Sequence, residues 1–300
     1  MWKSCGAVSF NKVKDDLNMK VPHVEGYICS VFDAVLADGR INYMVSEYRI
    51  TVTRRVSNVV FASHWAKELT TFKRNPEIVE VVHHEVPASS MVKRQNVKVG
   101  DYAFMVSDVQ PRKNPDLWIP TIQNLKFKVL GVTKPEWCAK LSKLPNFQCI
   151  GTFGNVDPIT LNTYMANARV LLWMTGGEGF GLPPLEASYW GVFPVALRIP
   201  PLIEWFPKDL QGRLVKPKGV TTAPGFLRDW PYVVYRFDPF EFAEVANQVF
   251  FDDSFRREAG KSLHNYVSDN YTRGAKYHKF YEIAGRVSAI ETKAVGGVKA

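Results

Sequence analysis

The stretch "TGGEGFGLPPLE", residues 175–186, sets two glutamates, Glu178 and Glu186, on either side of a turn rich in glycine and proline. Gly176, Gly177, Gly179 and Gly181 free the backbone for close approach to a ligand, and Pro183 and Pro184 suit the first positions of a helix. Glu186 would then lie in that helix's first turn. The apolar run "ARVLLWM" (168–174) comes just before, so the segment predicts a buried strand, a loop and a helix. Such a helix start offers N–H groups to an anion.

Working outward, short apolar runs alternate with helical patterns from about residue 102: "YAFMV", "PDLWIPTIQNL", "FKVLGV", "PEWCAKLSKL", "FQCIGTF", "DPITLNTYMANA" and then "ARVLLWM". Repeated strand–helix units imply an α/β fold with a parallel sheet covered on both faces. "GVFPVAL" (191–197) and "YVVYRF" (232–237) read as two further strands, and ligands of such sheets bind beyond the strands' carboxyl ends. Upstream, "VPHVEGYICSV", "NVVFASHWAKEL" (58–69) and "IVEVVHHEV" (78–86) suggest a smaller α/β unit. The polar, basic "PASSMVKRQNVKVGD" suits a linker, which places a boundary near residue 97. After residue 239 the pattern is helical.

An apolar content of 46% with 22% charged residues over 300 residues fits a globular protein and excludes disordered and fibrous classes. The net charge of +9 suits anionic partners such as phosphates, nucleotides or lipid headgroups, and solubility alone accounts for part of it. Cys5, Cys29, Cys138 and Cys149 form no CxxC pair or dense framework, which points to a reducing compartment without structural zinc. No stretch has the length of a signal-peptide core or a membrane span, so the expected location is cytosolic. Lys3, Lys12, Lys14 and Lys20 are either solvated or positioned to rest on an anionic membrane.

"QPRKNPDLW" (110–118) follows the strand "YAFMV" and puts Arg112 and Lys113 at another carboxyl end of the sheet. Alone they would be read as solvated loop charges. Facing the same crevice as the "GEGFG" loop, they can neutralise a diphosphate. Carboxylates beside a phosphate site repel it unless otherwise engaged, and vicinal hydroxyls of a ribose or hexose are natural partners for Glu178 and Glu186. The plainer alternative makes Glu186 a helix-dipole residue and Glu178 a surface charge. His83 and His84, adjacent in an expected strand, would point to opposite faces and cannot share a metal. HExxH, GxSxG, P-loop, GxGxxG and Asp-x-Asp motifs are absent. Trp118, Trp137, Trp173 and Trp190 fall in apolar segments and read as core, not as a stacking platform for nucleic acid.

"EGFGLPPLEASYWGVFPVAL" resembles the E-x7-E signature of retaining GT-B glycosyltransferases, family 4 in particular. The resemblance extends through "PRKN", "KVLGV", "CIGTF", "YMANARVLLWMTGGEGFG" and "IPPLIEWFP", over roughly residues 55 to 285. It implies two Rossmann-like domains facing a central cleft, a reduced N-terminal one (1–97) and a donor domain (98–270). A final helix, with the tail (271–300), would pack back on the first, and a hinge near residues 95 to 100 would let the cleft close. The implied activity is sugar transfer from a nucleoside diphosphate-sugar to a glycan, lipid or protein acceptor, with retention and without metal or other cofactor. By the same resemblance Glu178 would hold sugar hydroxyls, Glu186 the ribose, and Lys113 with Arg112 the diphosphate. Gly179, Phe180, Gly181 and Leu182 would line the donor, and Thr152 and Phe153 would meet the base.

Two departures accompany the resemblance. Ser107 stands where the family usually has a further phosphate-binding arginine, and the N-terminal half is short, with His23 too early for the family's active-site histidine and Tyr27 or Ile28 in its place. They motivate an alternative, a non-catalytic sugar-nucleotide-binding or scaffold protein. A homo-oligomer is compatible with either, and nucleic acid is not an expected partner.

Overall fold

The computed structural model describes residues 35–36, 41–44, 49–52, 58–86, 100–224, 231–272, 275–276, 278–279, 282–283 and 285–286. The expected strand "VPHVEGYICSV", the boundary near residue 97, the hinge, His23, Tyr27, Ile28, Cys5, Cys29 and the four N-terminal lysines lie outside the described residues.

The first described unit contains β1 (Val35–Leu36), β2 (Ile41–Met44), β3 (Ile50–Val52), β4 (Asn58–Phe61), α1 (His64–Glu68), β5 (Thr70–Phe72) and β6 (Ile78–Val81). Its main sheet runs β1-β2-β4-β6, with β2, β4 and β6 parallel, while β3 and β5 pair separately. The apolar β4 is buried along its whole length. Helix α1 starts at Ser63, whose Oγ accepts from the Ala66 N–H at 3.0 Å and so satisfies one donor of the first turn. Strand β6 is shorter than the sequence suggests. It ends at Val81, so His83 and His84 lie beyond its carboxyl end and are not strand residues.

The second unit contains β7 (Tyr102–Val106), α2 (Trp118–Gln123), β8 (Lys128–Thr133), α3 (Pro135–Leu141), β9 (Phe147–Thr152), α4 (Pro158–Asn167), β10 (Val170–Trp173), α5 (Leu182–Tyr189), β11 (Phe193–Ala196), α6 (Pro200–Ile203), β12 (Gly219–Ala223), β13 (Tyr232–Arg236), α7 (Pro239–Phe251) and α8 (Asp253–Asn270). The parallel sheet has the order β11-β10-β7-β8-β9, as the alternating pattern predicts. Chain order proceeds from β7 through β8 to β9 on one side and resumes with β10 and β11 on the other. The switch falls between β7 and β10, where the loops after both strands open into one crevice. Phe104, Val129, Leu171, Val195, Trp118, Leu185 and Phe242 fill the core, and Trp137, Trp173 and Trp190 pack against or within it.

Two expectations change here. The strand read at 232–237 does not extend the parallel sheet, because β13 pairs antiparallel with β12 to form a hairpin. Its face carries Tyr232 and Val234 into an apolar cluster with Val59, Phe61 and Ala66 of the first unit. Next, Cys138 of α3 and Cys149 of β9 are joined in a disulfide with Cα atoms 5.6 Å apart. Spacing alone, read above as a reducing-compartment signal, misses this pair because α3 folds back onto β9.

The chain after α8 returns to the first unit. The Val86 N–H donates to the Tyr271 carbonyl at 2.9 Å, and Lys279 and Arg286 pair with Glu80 of β6. Helix α8 itself lies so close to the end of α5 that a Cβ on Gly260 would stand 2.3 Å from the Gly191 carbonyl oxygen. Alanine is the better helix former by about 1 kcal/mol, yet backbone cannot yield as a side chain does. Gly260→Ala is expected to lower stability by about 1–3 kcal/mol, against its helix propensity, as read by thermal or urea unfolding.

Candidate functional site

Arg112 and Lys113 occupy a 3-10 turn (Pro111–Lys113) in the loop after β7. Asn114 ends the turn in the left-handed region, φ 52°, a conformation its short polar side chain tolerates. The side chain is fully buried. Its Nδ2 donates to the Met174 and Tyr235 carbonyls at 3.3 and 3.1 Å, and its Oδ1 accepts from Arg236 at 2.8 Å. The Trp118 indole donates to the Lys113 carbonyl at 2.9 Å, which fixes the turn from the opposite side.

The loop after β10 meets this turn. The Lys113 ammonium bonds Glu178 Oε1 directly and lies 4.7 Å from the Trp173 ring centroid. Arg112 Nη1 reaches the same carboxylate oxygen at 3.1 Å and donates to the Gly177 carbonyl at 2.8 Å, and Thr175 Oγ1 donates to Glu178 Oε1 at 3.0 Å. These three charged side chains are 7 to 13% exposed, and the half-buried Asp108 carboxylate adds a second negative charge that acts on Lys113. Burial pushes the Glu178 carboxyl up, but Lys113 and Arg112 outweigh it and hold the group below the ordinary carboxylate range. Burial and the neighbouring guanidinium push Lys113 down against the pull of Glu178.

The glycines of this loop have two distinct causes. A Cβ on Gly176 would stand 2.1 Å from the Tyr235 carbonyl oxygen, and one on Gly177 would stand 2.8 Å from that of Val233. Close approach is required there by β13, whose Tyr235 N–H donates to the Gly176 carbonyl at 2.8 Å. Gly181 is left-handed, φ 99°, and caps α5, with Pro183 and Pro184 at its first positions as expected. Glu186 is the fifth residue of that eight-residue helix, half-buried and past the first turn, which corrects its expected place.

The first unit grips the same loop. Ser63 Oγ donates to the Gly179 carbonyl at 2.5 Å. The buried Phe180 ring has both His83 and His84 5.4 Å away and Trp205 at 6.2 Å, so the two histidines converge on one ring instead of parting across a sheet. Glu204, just past α6, accepts from the His64 and Trp65 N–H groups at 2.8 and 2.6 Å and lies 3.3 Å from His83 Nε2. Burial, with His83 beside it, pushes the His84 imidazole down to about 4.

Arg112, Lys113, Glu178, Gly179 and Phe180 are thus brought together. Thr152 and Phe153 lie two strands from β7, at the end of β9, where Lys134 sits 5.6 Å from the Phe153 ring centroid. Leu182 opens α5, half-buried. Ser107 bonds the Asp108 carbonyl at 3.0 Å and supplies no cation. Sequence reasoning missed Ser63, Gln110, Asn114, Thr175, Glu204 and Tyr232. Only the Asn-Pro step at Asn114 offered a local signal, as a turn. Among the described residues, no three His, Cys, Asp or Glu side chains are grouped to hold a metal, and no helix is long and apolar enough to cross a membrane.

Comparison with solved structures settles the architecture. A glycosyltransferase from Rickettsia africae aligns with TM-score 0.55 at 14% identity, over 77% of this chain and 63% of that one. HepE of Anabaena in complex with UDP-glucose aligns at 0.54 and 14%, over 78% and 65%, and sucrose-phosphate synthase of Thermosynechococcus elongatus at 0.56 and 14%, over 77% and 58%. The chain has the GT-B glycosyltransferase fold. It spans less than two thirds of the length of each of these proteins. No family model matches the chain, and no curated protein does.

The charge arrangement of this GT-B crevice gives an asymmetric expectation. Glu178→Gln removes the carboxylate that both buried cations meet and should cost about 3–5 kcal/mol, whereas Lys113→Met leaves the Arg112–Glu178 pair in place and should cost clearly less in the same urea titration. His84 supplies a pH expectation. Unfolded, it takes up a proton near about 6.5, and folded only near about 4, so the unfolded state binds more protons in that window and stability falls as pH drops through it. His84→Gln should flatten the wild-type loss of stability between about pH 6.5 and 5, above the range where carboxylates titrate.

Proposed function

We propose that this protein is a glycosyltransferase that moves a hexose-like sugar from a nucleoside diphosphate-sugar to an acceptor hydroxyl, with retention of anomeric configuration and without a metal. The observation that carries the reading is the buried Arg112–Glu178–Lys113 cluster at the switch point between β7 and β10. Proteins of the same fold support it: HepE has been solved with UDP-glucose, and TarM of S. aureus with UDP.

Lys113 and Arg112 lie in the crevice that precedes α5, balanced by Glu178 and, for Lys113, by the Asp108 carboxylate as well. As the glycosidic bond breaks, negative charge grows on the departing diphosphate, and Lys113, Arg112 and the positive end of the α5 dipole stabilise it without reorganising; Pro183 and Pro184 offer no N–H there. Glu178, held by Lys113, Arg112 and Thr175, presents a fixed acceptor to sugar hydroxyls and orients the anomeric carbon. Glu186 takes the ribose hydroxyls, and the strand end at Thr152 and Phe153 takes the base. The acceptor enters from the side of the first unit.

Calorimetric titration with UDP, GDP and ADP tests the donor half of this reading. One nucleotide should bind, and Glu186→Ala should weaken it about tenfold, as expected for a lost hydrogen-bonded acceptor. No binding by any of the three at millimolar concentration would overturn the assignment. Retention is read separately, from the anomeric configuration of the product by NMR.

A further inference from the structure

Tyr232 of β13 belongs to two environments at once. Its ring is 1% exposed and packed with Val59, Phe61 and Ala66 of the first unit. Its hydroxyl leaves that apolar cluster and donates to Gln110 Oε1 at 2.9 Å. The same oxygen accepts from Arg112 Nε, also at 2.9 Å, and the Arg112 guanidinium carbon lies 5.7 Å from the Tyr232 ring centroid.

An amide oxygen has two acceptor sites, so Gln110 can serve both donors together. Its position is set by the extended backbone just before the Pro111–Lys113 turn. A phenol buried among aliphatic and aromatic neighbours costs free energy unless its hydroxyl finds a partner, and phenylalanine would fill the same space without that demand. Here the hydroxyl goes to the glutamine that holds the plane of Arg112. With Nε fixed on Gln110, Nη1 is aimed at the Gly177 carbonyl and Glu178. An arginine on a flexible stem would otherwise lose rotamer freedom each time it met an anion.

We infer that Tyr232 and Gln110 are positioning residues for the cation that meets the donor diphosphate, and that through them the apolar packing of the first unit sets the aim of Arg112. The inference rests on the donor-site reading above. Neither residue needs to touch the donor; each acts through the guanidinium.

The test is a double-mutant cycle on the full chain with Tyr232→Phe, Gln110→Leu and the pair. It uses whichever of UDP, GDP and ADP the wild type binds, together with the matching nucleoside. Tyr232→Phe should weaken the diphosphate about three- to tenfold, leave the nucleoside affinity unchanged and leave the unfolding midpoint within a few degrees. The pair should weaken the diphosphate no further than Gln110→Leu alone, because both act through one oxygen. Unchanged diphosphate affinity in Tyr232→Phe, equal losses for diphosphate and nucleoside, or additive effects in the pair would each overturn the inference while leaving the donor reading intact. A wild type that binds no nucleotide overturns the donor reading and the inference with it.

Discussion

A carboxylate taken out of water persists as an anion only where cations and hydrogen-bond donors replace the lost hydration. Glu178 is such a carboxylate, and its three partners come from both loops of the β7–β10 crevice: Arg112 and Lys113 from one, Thr175 from the other. The requirement acts on backbone as well as side chains. To deliver its two cations side by side, the first loop closes into a tight turn, which Asn114 ends in a left-handed conformation and Trp118 anchors from beneath. The second loop is held by bonds from the Gly176 N–H to the Arg112 carbonyl and from Arg112 to the Gly177 carbonyl. Displacing either loop strands charge in a low-dielectric space, so the two move as one.

The hairpin of β12 and β13 completes that constraint. Strand β13 lies against the second loop so closely that glycine is required at 176 and 177, and Arg236 ties it to the first loop through Asn114 and Asp116. Its other face is part of the first unit's apolar cluster. Burial of Val59, Phe61 and Ala66 against Tyr232 and Val234 is a hydrophobic contact worth about 25 cal/mol per Å² of apolar surface removed from water. Hydrophobic stabilisation of one unit and charge geometry of the other therefore meet in one strand. On the far side of Phe180, Ser63 donates to the Gly179 carbonyl and Glu204 accepts from the His64 and Trp65 N–H groups, which fixes α1 to the second unit at two points.

The parallel sheet and the strand–loop–helix at 168–189 were legible because hydrophobic period and glycine–proline punctuation report local structure. The pairing of Lys113 with Glu178 was legible only as proximity, since two loops at neighbouring carboxyl ends must face one another. What escaped was set by contacts distant in the chain. Gly176 and Gly177 read as room for a ligand, yet their close neighbours are Tyr235 and Val233 of a strand far along the chain, and no local pattern encodes that approach. The two histidines read as strand residues because apolar alternation continues past Val81, although the sheet does not. Cys138 and Cys149 pair for a similar reason, through the return of a helix onto its following strand.

The buried cluster also bears on how an anion would be received. Free cations in a crevice would repel each other, and their hydration would have to be stripped when a diphosphate arrived. Here Glu178 has already drawn them out of water, so on the donor reading the desolvation belongs to folding and not to binding. The phosphate then meets side chains whose spacing and orientation are fixed in advance, which is the condition under which electrostatic stabilisation lowers a barrier instead of merely tightening binding. Glu178 is in turn fixed by the cations it holds. On that reading a rigid carboxylate beside rigid cations separates two tasks, with hydroxyls directed to one and phosphate oxygens to the others. On the donor reading, the charges that stabilise the crevice thus also define which end of a sugar nucleotide faces which side chain.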